Sequence, residues 1–267
     1  MTTTIITTMK KTSRLHRAFL LLGLLGLLCL IAASLVGGAQ APPSGDWVLK
    51  RVDDNRVTGN KVVLSEMVIH GRRGSRTIKA KSWIQGEDKS FSEYLDPPRE
   101  RGVKMLKLGD QLWTYYPATD RTILIAGHML RQSVMGSDLS YEDMMEDPVL
   151  GNSYEAKVDG EEIVAERTCW VLQLTAKKPD VAYHSRKLWV DKVRFVVLRE
   201  ERFARGGKLL KTAEVRSVRQ VQGRWIPDRL LFKDVLQSGE GTEFALTEIE
   251  LDVPIPETVF SKASLKK

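Results

Sequence analysis

A polar–apolar alternation of period two, recurring along most of the chain, restricts its fold more than any other feature. "TIKAKSWIQG" (77–86) sets Ile78, Ala80, Ser82 and Ile84 on one face and Lys79, Lys81 and Trp83 on the other. "RTCWVLQLTAK" (167–177) alternates Trp170, Leu172 and Leu174 against Val171, Gln173 and Thr175. "RKLWVD" and "RFVVLREERF" (186–203) read as two strands joined near Asp191 and Lys192. Turn signals follow at Gly206-Gly207, Gln222-Gly223 and Ser238–Gly241, and "DG" at 159–160 is a good hairpin turn. Turns about every eight to fifteen residues predict an antiparallel meander in which each strand pairs with its sequence neighbour. Strands with one apolar face must bury it against a second sheet, a barrel interior or helices laid across it.

The first 39 residues stand apart. Lys10, Lys11, Arg14 and Arg17 precede an unbroken apolar run, "AFLLLGLLGLLCLIAASLV" (18–36), which small residues close in "GGAQA". That order predicts a secretory signal peptide over 1–39, cut after Ala39. The run is also just long enough to serve as a retained membrane anchor. Leu28 stands where a lipid-attachment signal wants a small residue, so Cys29 reads as part of the apolar run. The leader carries four basic residues and no acid, so its removal lowers the formal charge from +7 to +3. A weak excess spread over many charged side chains is a solvated surface and excludes a nucleic-acid footprint. Residues 40–267 keep one cysteine, Cys169, which is expected in a buried strand position and has no internal disulfide partner. No linker, low-complexity tract or exact repeat divides this stretch, so a single domain over 40–267 is expected.

Helical candidates are few. In "SGDWVLKRVDDNR" (44–56), Ser44 or Asp46 is a suitable N-cap and Val48, Leu49 and Val52 fall at helical spacing. The second candidate lies in "RQSVMGSDLSYEDMMED" (131–147), which holds five carboxylates, Asp138, Glu142, Asp143, Glu146 and Asp147. Carboxylates this dense suit either a metal or acid–base site, or a capped and solvated helix. Ser140 with Asp143 three residues on has the spacing of a capping box, and Pro148 ends the pattern. First-turn acids also suit the helix dipole. The structural account is therefore sufficient for these acids, and Tyr141, Met144 and Met145 lie about a turn apart on a face separate from most of them. Four of the eight methionines, Met129, Met135, Met144 and Met145, fall within this neighbourhood. Methionine adapts to irregular apolar partners, which fits a lid over a ligand and equally fits core filling beneath a loop.

Chemical motifs are absent. There is no G-x-S-x-G, no H-E-x-x-H and no phosphate-cradling G-x-x-x-x-G-K-[ST], and His70, His128 and His184 stand alone. No enzyme, catalytic residue, metal or cofactor is expected.

"VMGSDLSYEDM" (134–144), "WVLQL" (170–174), "KLWVDKVRFVVLREERF" (187–203), "GKLLKT" (207–212), "GRWIPDRLLFKD" (223–234) and "ETVFSKASL" (257–265) occur in this order. Together they resemble the outer-membrane lipoprotein-sorting family, the periplasmic carriers related to LolA. The resemblance implies a mainly β fold: a single-domain, incomplete antiparallel β-barrel with a few short helices covering its concave face and an apolar cavity between. It implies a non-catalytic periplasmic carrier that binds acyl chains of lipoproteins or lipids for transfer towards the outer membrane. Partners would be an inner-membrane transporter as donor and an outer-membrane acceptor, with no nucleic acid.

On this reading the cavity lining is expected at Trp170, Leu172, Leu174, Leu188 and Val190, and the lid at Leu139, Tyr141, Met144 and Met145. LolA holds its lid with an arginine; the resemblance matches none of this chain's arginines to it, and Arg131, merely near the segment, is the candidate latch. Rival readings are an envelope-stress sensor that uses the same fold to bind lipoprotein and a membrane partner, a carboxylate-based envelope hydrolase, and a scaffold with a filled interior.

Overall fold

The computed structural model describes residues 42–57, 59–71 and 74–267; the expected signal peptide lies outside them. Within the described residues, thirteen strands form one antiparallel sheet. They are β1 (Asn60–Gly71), β2 (Gly74–Gln85), β3 (Lys89–Asp96), β4 (Lys104–Leu108), β5 (Gln111–Tyr116), β6 (Arg121–Ile125) and β7 (Tyr154–Val164). The remainder are β8 (Arg167–Ala176), β9 (Ser185–Asp191), β10 (Val197–Phe203), β11 (Leu209–Val221), β12 (Arg224–Asp234) and β13 (Gly241–Leu251).

Their order in the sheet runs from β6 back to β1, then from β13 back to β7. Two meanders are thus joined in the middle by the first and last strands, paired from Lys61↔Leu251 to His70↔Gly241. The barrel stays open between β6 and β7. These two edge strands are consecutive in sequence, so the chain must cross from one rim of the sheet to the other, and residues 126–153 make the crossing.

The period-two pattern explains both faces. Val62, Trp83, Phe91, Leu106 and Trp113 are cross-strand partners in one row from β1 to β5. They form an outer cluster that the C-terminal segment covers with Ile255, Phe260 and Leu265. On the inner face, Met67, Ile78, Ala80, Tyr94, Met105 and Leu112 form a second cluster. The expected alternation in 77–86 is therefore present, with Ile78 and Ala80 inward and Trp83 outward.

Helix α1 (Gly45–Arg56) covers the other half of the inner face. Ser44 caps it by accepting from the Trp47 amide, while Val48, Leu49 and Val52 are buried against Leu172, Leu174, Leu188 and Val190. Asp46, the alternative cap, instead accepts the Ala156 amide of β7 at 2.8 Å. Asp53 accepts the amides of Leu150 and Gly151 at 3.0 and 2.9 Å and so caps the short helix α3 (Leu150–Ser153). Cys169 is buried and free, and burial pushes its thiol up to about 11.

The Asp159-Gly160 turn does not form. β7 passes through it with a bulge, and the chain reverses at Ala165 and Glu166, both at positive φ. The acids just beyond Gly160 hold the longer strand in place. Glu162 accepts from Trp189 Nε1 at 2.7 Å, and Glu161 pairs with Lys192 at 2.8 Å.

Candidate functional site

The crossing segment lies on the inner face and is built from short pieces: two 3-10 turns (Gly127–Arg131 and Val134–Gly136), the helix α2 (Tyr141–Met145) and α3. Backbone bonds from Val134 to Leu139 and from Tyr141 to Gln132 fold it into a loop. Val134 and Tyr141 are buried on the inner β1–β6 cluster, where Met129, Leu130, Met135, Leu139 and Met145 also pack. Of the four expected lid residues, Leu139, Tyr141 and Met145 therefore face the sheet, whereas Met144 is 38% exposed. A helix of five residues is far shorter than the roughly 12–15 at which an isolated helix becomes even marginally stable, so contacts with the sheet must fix this segment.

Its acids supply those contacts. Asp143 closes the capping box with Ser140, its carboxylate accepting the Ser140 amide at 2.7 Å. The same carboxylate accepts from Arg202 Nη1 at 2.9 Å and Tyr183 Oη at 2.6 Å, and it also pairs with Lys211. Glu146 meets Arg186. Asp138 accepts from Thr242 Oγ1 at 2.7 Å and from the Asp234 amide at 2.9 Å. Asp147 accepts the Val149 amide at 2.8 Å and the Asn152 side chain at 2.9 Å. The expectation that these acids mainly solvate a helix is thus corrected for three of them: the side chains of Asp138, Asp143 and Glu146 tie the segment to strands β9 to β13. Among the described residues, Glu142 alone of the five forms no such bond, and no three acidic, histidine or cysteine side chains converge as a metal site.

Strand register explains why arginines wait there. Leu174, Arg186, Arg202 and Lys211 are successive cross-strand partners on β8 to β11. Like charges placed directly opposite repel. Glu200, two residues before Arg202 on the same face, bridges the two arginines, accepting Arg186 Nη1 at 2.6 Å and Arg202 Nη2 at 2.9 Å. Tyr154 and Tyr183 flank the fully buried Arg186, with its guanidinium 4.9 and 5.3 Å from their ring centres. The result is a balanced network of three cations (Arg186, Arg202, Lys211) and three carboxylates (Asp143, Glu146, Glu200). Burial alone would raise the Asp143 carboxyl, but Arg202 and Lys211 outweigh it and hold it down at about 2. Burial is likewise outweighed at Glu200, where Arg202 and Arg186 hold the carboxyl at about 2. Burial pushes Arg186 down to about 10.

The structure places the remaining expected residues as follows. Trp170, Leu172, Leu174, Leu188 and Val190 do share one inner face, and it is packed beneath α1. Arg131 is exposed and forms no ion pair among the described residues; the segment's carboxylates are held by Arg186, Arg202 and Lys211 instead. Sequence reasoning passed over these three because charged residues in strands read as solvent-facing. The available signal was parity, since Arg186 shares the face of Leu188 and Val190. The inner face is filled by α1 and by the crossing segment's own side chains, and the cavities lie along the seams between them. One of about 330 Å³ opens beside Asp138, Leu139, Tyr183 and Lys211.

A family model described as "uncharacterized protein" matches residues 86–267. No curated protein matches the sequence. A putative outer membrane lipoprotein-sorting protein domain from Vibrio parahaemolyticus is 21% identical, with a TM-score of 0.75 over 84% of this chain and 98% of that one. A DUF1329 family protein from Desulfovibrio piger is 22% identical, with a TM-score of 0.77 over 83% and 97%. A LolA superfamily protein from Nitrosomonas europaea is 22% identical, with a TM-score of 0.70 over 84% and 100%. The chain belongs to the family whose model covers residues 86–267, and its fold is that of the outer-membrane lipoprotein-sorting and LolA superfamily proteins.

Proposed function

We propose that this chain is a periplasmic, non-catalytic carrier that holds the acyl chains of lipoproteins or lipids and passes them towards the outer membrane. A donor in the inner membrane and an acceptor in the outer membrane would bracket it, and residues 1–39 would direct its export. The observation that carries this reading is the crossing segment. It lays adaptable apolar side chains, three of them methionines, on an apolar inner face, and it is held there by side-chain ion pairs.

In this mechanism Met129, Leu139, Tyr141 and Met145 stand in for the ligand while the carrier is empty. An acyl chain competes for the same surface of Met67, Ile78, Tyr94 and Met105 and displaces the segment outward. Burying ten methylenes is worth roughly 8 kcal/mol before ordering costs. That is enough to replace the segment's own contacts and too little to make release impossible. Arg186, Arg202 and Lys211 form the latch that returns the segment when the ligand leaves. The face of Trp170, Leu172, Leu174, Leu188 and Val190 belongs to the same surface and becomes lining only if α1 swings away.

Native mass spectrometry of the protein taken from a periplasmic extract, with lipid extraction of the same sample, tests the reading. A co-purified acylated species is expected, lost when Met144 and Met145 are both changed to Glu. A bare protein mass that ignores added fatty acid and lipopeptide would rule the carrier out.

A further inference from the structure

At the end of the inner face away from Tyr183, a cavity of about 200 Å³ opens between the C-terminus of α1, strands β1 to β4 and the crossing segment. Arg56, Lys61 and Lys107 line it, together with Ser90, Ile84, Val57, Met144 and Pro148. None of the three cations has a carboxylate within ion-pair distance among the described residues. This is unusual, because the neighbouring network of Arg186, Arg202 and Lys211 balances itself charge for charge.

The acids that touch the cavity are committed or peripheral. Glu146 is engaged by Arg186, and Glu87 is exposed on the β2–β3 turn. Lys89, a fourth cation at the wall, is paired with Glu257 at 2.8 Å. Lys61 and Lys107 are part-buried and Arg56 is exposed, and desolvation lowers all three. Glu200, Asp53 and Asp147 act on Arg56, and Asp88 and Asp147 on Lys107, only from beyond ion-pair distance. Two part-buried lysines facing one hollow with no carboxylate at ion-pair distance cost stability unless an anion joins them.

We propose that this cavity binds a phosphate group, free or as the headgroup of an amphiphile, between Arg56, Lys61 and Lys107. Three converging cations suit an anion that carries up to two charges and several acceptor oxygens, and the Arg56 fork matches adjacent phosphate oxygens. The volume falls below the roughly 300 Å³ at which pockets for drug-sized ligands begin, so it fits a headgroup and not a whole lipid. Met144, Ile84 and Pro148 at its wall give the first carbons of an attached chain an apolar surface. The site stands whether or not an acyl chain is carried elsewhere on the inner face.

Calorimetric titration of the protein purified from cells expressing the full chain tests this with three probes: inorganic phosphate, dihexanoyl phosphatidic acid, and dihexanoyl glycerol lacking the phosphate. Saturable binding of a phosphate-bearing probe is expected, weakened about tenfold or more by Lys61→Gln with Lys107→Gln and unchanged by Lys50→Gln on the exposed side of α1. Equal binding of the first two probes identifies free phosphate as the source; preference for phosphatidic acid identifies a headgroup. Because each lysine is an unpaired, confined charge, the single Lys61→Gln and Lys107→Gln variants should melt no lower than the parent, which separates binding loss from unfolding. Absence of saturable phosphate binding, or binding that survives the double substitution, overturns the site.

Discussion

A single carboxylate can serve two levels of structure, and Asp143 does. Its capping-box role was legible from the spacing to Ser140, because capping is a local event. Its role as anchor was not, because Arg202 and Lys211 lie 59 and 68 residues further along and only strand register brings them near. The same holds for Asp138, whose partner Thr242 is 104 residues away. Such pairs make stability depend on acidity. Asp143 and Glu200 sit at about 2, below their ordinary values of 3.8 and 4.5, so the unfolded chain binds protons more readily than the folded one. Their contribution is complete above about pH 5 and disappears as the pH falls towards 2. Urea unfolding at a series of pH values should show that acid limb. Asp143→Asn should lower stability at neutral pH by about 3 kcal/mol, since it leaves part-buried Lys211 without its carboxylate and takes one from buried Arg202, which keeps Glu200, and should flatten the limb. An unchanged limb in the variant would remove Asp143 from the anchor.

At the level of elements, α1 shows where sequence reasoning is strong. Cap, length and the apolar stripe of Val48, Leu49 and Val52 are all written within one stretch of residues. What it covers was not written there, since Leu172, Leu174, Leu188 and Val190 come from distant strands. The β7 bulge is the opposite case. A local turn signal at Asp159-Gly160 lost to pairing with β8 that continues to Val164↔Arg167. The seat of α1 depends on its first residue: a Cβ added to Gly45 would lie 2.3 Å from the Ala156 carbonyl oxygen. Backbone cannot yield as a flexible side chain does, so Gly45→Ala must lift the helix from β7 and stretch the bond from the Ala156 amide to Asp46. A loss of about 2 kcal/mol in thermal or urea unfolding is expected, with faster hydrogen exchange at the Ala156 amide. Lys50→Ala, on the exposed side, should change neither. If both variants behave alike, close approach at Gly45 is not what positions the helix.

Across the whole molecule, topology assigns different stabilities to different parts. β1 is paired on both sides, with β2 and β13, so the junction of the two meanders is locked by backbone bonds along its length. Among the described residues, the segment between β6 and β7 pairs with no strand of the sheet and rests mainly on side chains: an apolar patch, Asp138 at one end and the Asp143–Glu146 network at the other. A part held by side chains can open while the sheet stays closed, which is what a reversible cover requires. Hydrogen exchange followed by mass spectrometry separates the two. Amides within residues 127–146 should exchange well before those of β1 and β13. Arg202→Gln, which takes one cation from Asp143 and Glu200, should speed exchange in that segment by about ten- to a hundredfold, the weight of a 1.4–3 kcal/mol latch. The β1 and β13 amides should keep their parent rates. Acceleration spread evenly over segment and sheet would mean that the two open only together, and the segment would then be core and not a cover.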